Sequence, residues 1–196
     1  MNNSELINEM KNYAQENNIP IMTTQGMNYL LDFIKNNNIK KILEIGTAIG
    51  YSAIMMASIS NDIEVTTVER DESRYLVAIN NIKKAKLEDR VHLIFNDALN
   101  VDLSNKYDLI FIDAAKAQNQ KLFERFELNL SSDGTIITDN MSFHGLTDKK
   151  EDEIESRNLR QLVRKINDYK IFLESNSKYK TDFIDIGDGL AISKRI

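Results

Sequence analysis

Lys41-Ile42-Leu43-Glu44-Ile45-Gly46-Thr47-Ala48-Ile49-Gly50-Tyr51-Ser52 decides how the rest of the chain is read. Ile42, Leu43 and Ile45 form a short apolar run, the signature of a buried parallel strand. Glu44 places a carboxylate inside that run. Gly46 and Gly50 bracket a tight turn, and Tyr51 to Ile59 reads as a helix that starts at once. Strand, glycine turn and helix in that order build a nucleotide-type pocket at the carboxyl end of a first strand. A dinucleotide site needs G-x-G-x-x-G so that backbone can approach a pyrophosphate. Here the spacing is Glu-x-Gly-x-x-x-Gly with Ala48 between the glycines, which disfavours a nicotinamide oxidoreductase. A carboxylate at the strand end suits a cofactor that carries a positive charge.

Outward from the turn the chain alternates strand and helix. Towards the N-terminus, residues 2–18 read as a polar amphipathic helix that Pro20 ends. Thr23 or Thr24 caps a second helix with an apolar stripe of Met27, Leu30, Leu31 and Ile34. Towards the C-terminus, strands are expected over Ile63 to Val68, Val91 to Phe95, Tyr107 to Ile112 and Thr135 to Thr138. Helices are expected over Asp71 to Lys86, with Tyr75, Ile79 and Ile82 inward, over Gln118 to Leu130, and over Glu151 to Leu173. Asp182 to Ile186 and Leu190 to Ser193, separated by Gly187-Asp188-Gly189, read as a hairpin. The pattern predicts an α/β protein with a mostly parallel, doubly wound sheet, closed by an antiparallel hairpin strand. The 196 residues read as one domain, with 1–38 an N-terminal helical arm or lid and 39–196 the core.

Composition narrows the function classes. Hydrophobic residues make up 42% and charged residues 28%, ordinary values for a globular chain. With no cysteine, disulfides, thiolate metal sites and cysteine nucleophiles drop out. The sequence offers no long uncharged span and no signal-peptide pattern, so the cytoplasm is the expected compartment and no membrane partner is expected. A net charge of −5 argues against a general nucleic-acid coat but permits a local basic patch.

Acidic residues collect where ligands bind in such a sheet, beyond the carboxyl ends of the strands. Glu44, Glu69, Asp97, Asp113 and Asp139 each stand at or near a predicted strand end. Any one of them is adequately explained as a turn or cap residue; the series is not. Glu69 is placed to accept hydrogen bonds from a ribose diol, and Asp97-Ala98 to meet an adenine. Asp113, Asp139 and Asn140 bring two carboxylates and an amide oxygen from neighbouring strand ends. Hard oxygen donors few in number suit Mg²⁺ and fit zinc poorly. His92 reads as structural. His144 is a loop residue that competes weakly for a place at the site, and neither histidine has a partner at ligand spacing. Lys116, one turn beyond Asp113, would have its ammonium form disfavoured beside a divalent cation and could act as a general base. Its bland reading is a solvated lysine.

Leu-Glu-Ile-Gly-Thr-Ala-Ile-Gly-Tyr-Ser, Phe-Ile-Asp-Ala-Ala-Lys and Ile-Thr-Asp-Asn together resemble the cation-dependent O-methyltransferases, the catechol and caffeoyl-CoA type, from about Ile19 onward. That resemblance implies a Rossmann-like class I methyltransferase fold. It implies Mg²⁺ on Asp113, Asp139 and Asn140, and S-adenosyl-L-methionine among Met22, Glu44, Gly46, Ser52, Glu69, Asp97, Ala98 and Asp113. Lys116 takes the place of the family's catalytic lysine. A homodimer is also implied, although the arm before Ile19 looks shorter than is usual. Ile19-Pro20-Ile21-Met22 and Gly187-Asp188-Gly189-Leu190-Ala191-Ile192-Ser193-Lys194 resemble the bacterial branch that methylates 5-hydroxyuridine at the tRNA wobble position. The tRNA anticodon loop is then the expected partner. Arg157, Arg160 and Arg164 share one helix face below Lys149 and Lys150 and could contact phosphates; equally they could form a solvated, ion-paired face. A small catechol or phenol is the alternative acceptor. A non-catalytic binding module is disfavoured by the open ligand set beside Lys116.

Overall fold

The computed structural model describes residues 3–142, 145–148 and 153–196. Helices α1 (Asn3–Glu16) and α2 (Thr24–Asn36) precede β1 (Lys41–Ile45), α3 (Tyr51–Ala57), β2 (Glu64–Glu69), α4 (Glu72–Ala85) and β3 (Val91–Phe95). Then come β4 (Tyr107–Ile112), α5 (Asn119–Phe126), β5 (Leu130–Asp139), α6 (Arg157–Glu174) and the hairpin β6 (Tyr179–Ile184) and β7 (Leu190–Arg195). The seven strands are ordered β3-β2-β1-β4-β5-β7-β6. β1 to β5 pair in parallel, and β7 runs antiparallel to both β5 and β6. Strand order therefore reverses between β1 and β4, and a crevice opens at their carboxyl ends.

Alternation along the strands sorts the core into two layers. Ile42, Val65, Leu109, Phe111 and Ile137 face a layer built by α1 to α4. Leu43, Ile45, Val68, Ile110, Ile112 and Ile136 face the layer of α5 and α6. Burial on both sides is why these strands read as nearly continuous apolar runs. Leu6, Met10 and Ala14 bury one side of α1 in the first layer, and Val163, Ile166, Tyr169 and Leu173 bury one side of α6 in the second. Each such buried side chain contributes about 1.5–3 kcal/mol relative to exposure.

Capping follows the sequence signals. Thr23 caps α2 by accepting from Gly26 N, and Asp71 caps α4 by accepting from Arg74 N. Several expectations need correction. Ile79 is 41% exposed rather than inward, because the face α4 turns to the sheet carries Ala78, Asn81, Ile82 and Ala85. The helix expected to run to Leu130 ends at Phe126, and β5 begins at Leu130. Ser156 caps α6, accepting from Leu159 N, so this helix starts at Arg157. The expected start at Glu151 lies outside the described residues, as do His144, Lys149 and Lys150. Among the described residues no helix is long and apolar enough to cross a membrane.

Candidate active site

The glycine turn is an unusual piece of backbone. Gly46, Ala48 and Gly50 all have positive φ, at 104°, 48° and 86°. At Gly46 a Cβ would stand 2.2 Å from the backbone oxygen of Asp113, so only glycine lets β1 leave the sheet this close to β4. Gly46 N donates to Val68 O, and Asp113 N donates to Ile45 O, which stitches the turn across three strands. Asn81 of α4 steadies the far side by donating to Ile49 O at 2.9 Å.

Beneath the turn lies a buried polar chain. Glu44 is fully buried and accepts from Ser52 Oγ and from Thr67 Oγ1, the latter at 2.5 Å; Thr67 in turn contacts Thr47 Oγ1 at 2.6 Å. Burial drives the Glu44 carboxyl up to about 8, with the charges of Asp113 and Glu69 adding to the effect and the two hydroxyls opposing it. Above the turn, Glu69 Oε2 accepts from Ala48 N at 2.8 Å, while its Oε1 accepts from Arg70 N and Asp71 N. Asp97 accepts from Leu99 N at 2.9 Å and stands 3.5 Å from Arg70.

At the ends of β4 and β5 a second group converges. Asp113 Oδ1 accepts from Lys116 Nζ at 3.1 Å and from Asn140 Nδ2 at 3.3 Å. Asp139, only 3% exposed, accepts from Asn140 N at 2.7 Å. Asn140 has φ 66°, a left-handed conformation that asparagine tolerates better than most residues. Burial, with the charge of Asp113 next, pushes the Asp139 carboxyl up to about 7. Two carboxylates crowded in this way, with an amide beside them, fit a hard divalent cation. Among the described residues no cluster of three or more His, Asp or Glu side chains could hold a metal. Tyr169 anchors α6 directly below, its hydroxyl 2.9 Å from Thr138 Oγ1.

One cavity of about 790 Å³ joins the two groups. Met22, Gly46, Glu69, Asp97, Ala98, Asp113, Lys116, Asp139 and Asn140 all line it.

A family model described as O-methyltransferase matches residues 1–196. The chain belongs to the O-methyltransferase family. The sequence is 28% identical over 194 residues to a caffeoyl-CoA O-methyltransferase of Populus kitakamiensis, covering 95% of this chain and 82% of that protein. Among solved structures, that of a candidate caffeoyl-CoA O-methyltransferase from Staphylococcus aureus superposes with a TM-score of 0.91. It is 43% identical and covers 97% of this chain and 92% of its own. An O-methyltransferase from Bacillus cereus in complex with SAH gives a TM-score of 0.82 at 25% identity, covering 98% and 91%. The fold expected from the sequence is thus the fold of this O-methyltransferase, with its C-terminal antiparallel hairpin.

The remaining sequence candidates of this O-methyltransferase lie elsewhere. Glu44 and Ser52 sit under the cavity floor and bond to each other there. Arg157 and Arg164 are exposed on α6, whereas Arg160 folds back to donate to the carbonyls of Ile154 at 2.5 Å and Glu155 at 3.1 Å. Sequence reading missed Gln118, Leu122 and Leu162, which wall the cavity beside Lys116. No spacing rule brings α5 and α6 to a strand end; only their packing does.

Proposed function

We propose that this O-methyltransferase transfers the methyl group of S-adenosyl-L-methionine to a hydroxyl oxygen held beside Asp113, Asp139 and Asn140. One observation carries the reading: a single cavity runs from the Gly46–Glu69–Asp97 end to the Asp113–Lys116–Asp139–Asn140 end. The first end suits an adenosine. Glu69 offers a buried carboxylate to a ribose diol, and Asp97 with Ala98 offers an acid and a backbone N–H to a base. Met22 closes the same space from the segment that precedes α2.

Asp113, Asp139 and Asn140 would hold Mg²⁺. Such a cation would supply a Lewis acid that lowers the pKa of a substrate hydroxyl. The protein's residues do the rest. Lys116, 3.1 Å from Asp113, is placed to take the hydroxyl proton at Nζ. Leu122 and Leu162 keep water from the reacting atoms, and the fixed strand ends hold oxygen and methyl in an attack geometry.

The acceptor we favour is 5-hydroxyuridine at the wobble position of tRNA, a reading supported by the motif resemblance. Gln118, whose carboxamide carries both a donor and an acceptor, lines the cavity and suits a pyrimidine edge. The second reading is a small catechol or phenol, favoured by the likeness to the caffeoyl-CoA enzyme of Populus kitakamiensis. Methyl transfer from labelled S-adenosylmethionine to tRNA carrying 5-hydroxyuridine and, in parallel, to catechol separates them, each with Mg²⁺ and with EDTA. The expected outcome is EDTA-sensitive label in the tRNA; label in catechol alone removes the RNA acceptor. Transfer that EDTA leaves unchanged removes the cation.

A further inference from the structure

The turn between β6 and β7 presents a carboxylate that the transfer chemistry above does not use. Asp188 lines the same cavity as Asp113, Lys116, Asp139 and Asn140. The turn that carries it is fixed from two sides. Ser142 N donates to Asp188 O at 2.7 Å and Met141 N donates to Gly189 O at 2.9 Å, so the segment leaving Asn140 is bonded to the turn's backbone. Gly187 and Gly189 have φ of 63° and 83°. A Cβ on Gly187 would lie 2.4 Å from Thr23 Oγ1, and one on Gly189 would lie 2.3 Å from Ser142 Oγ. A hairpin turn that only reverses the chain in solvent needs neither approach. This one is wedged between the cap of α2 and the loop after β5, and the wedge seats Asp188 at the cation end of the cavity.

We propose that Asp188 is a positioning residue for the divalent cation of the proposed reaction, acting from outside the three ligands. The inference rests on the cation reading given above. Asp188 adds a third carboxylate to Asp113 and Asp139 in the lining of this cavity, and a divalent ion favours a site with more carboxylates. Cation affinity in oxygen sites follows ligand charge and rigidity, and groups that accept from metal-bound water orient it. Asp188 supplies the charge, and its glycine-flanked turn supplies the rigidity.

The test is Mn²⁺ binding to the full chain followed by electron paramagnetic resonance, with S-adenosylhomocysteine affinity measured beside it. Asp188→Asn and Asp188→Ser are expected to weaken Mn²⁺ about 10- to 100-fold and to leave S-adenosylhomocysteine affinity unchanged. Asp188→Glu, which keeps the charge, is expected to stay close to the parent. Wild-type affinity in Asp188→Asn or Asp188→Ser overturns the proposal and leaves the cation reading intact. An equal loss in all three variants overturns it too, since the turn's shape and not its charge would then matter. If the parent itself binds no Mn²⁺, the cation reading falls and this inference with it.

Discussion

Glu44 is a motif residue whose place on a strand is readable from sequence while its bonding partners are not. Its position at the end of β1 was plain, but the side chain points down into the layer of α1 to α4 and ties β1, β2 and α3 together through Thr67 and Ser52. Its raised pKa gives a signed prediction. Between the ordinary 4.5 and about 8, the folded chain keeps a proton that the unfolded chain has released, so this group makes stability fall as pH rises across that window. Glu44→Gln removes that titration. Denaturant midpoints taken at both ends of the window should differ less in the variant than in the parent, and an unchanged pH slope would mean that Glu44 does not hold its proton. Legibility at this scale follows backbone logic. Gly46, Glu69, Asp113, Asp139 and Asn140 were found because a strand end fixes where a residue lies. Gln118, Leu122, Leu162 and the placement of Asp188 were not, because they reach the cavity through contacts between elements distant in sequence. Arg160 has the same lesson in reverse: helical spacing put it in a stripe, while two loop carbonyls claimed its guanidinium.

At the scale of elements, the glycine turn and the strand beside it act as one unit. The turn needs three residues at positive φ, and Gly46 also needs the space of a missing side chain against Asp113 O. Gly46→Ala is therefore expected to destabilise by about 2–4 kcal/mol through combined strain and overpacking. It should also displace the backbone of Asp113. The check is a chemical denaturation curve alongside cofactor affinity; the reading fails if both stay at parent values. The element order itself was legible throughout, since strands buried on both faces announce themselves as apolar runs and Thr23 and Asp71 as caps. Element ends were less so. β5 extends back to Leu130 through Ser131, Ser132, Asp133 and Gly134, a polar stretch that no strand pattern marks.

For the molecule as a whole, the decisive quantity is where charge sits on an acidic protein. Its net charge of −5 would repel a nucleic acid unless basic residues gather on one side. Arg157 and Arg164 are exposed on α6, the helix that also sends Leu162 into the cavity. Under the tRNA reading, Arg157→Glu with Arg164→Glu should raise the KM for tRNA at least about tenfold and flatten its salt dependence, while turnover of any small phenol stays unchanged. Equal kinetics on tRNA would return those arginines to a solvated face.

The insertion of β7 between β5 and β6 also sets an order of events during synthesis. The ribosome makes the glycine turn, Asp113, Lys116, Asp139 and Asn140 well before residues 179–195 emerge. Until they do, β5 has no partner on its outer edge, and Met141 and Ser142 lack the carbonyls they bond. A nascent chain can thus carry every recognisable motif of the family and still have no closed pocket. Ligand capture should appear as a late step in biogenesis, timed by the hairpin rather than by the motifs.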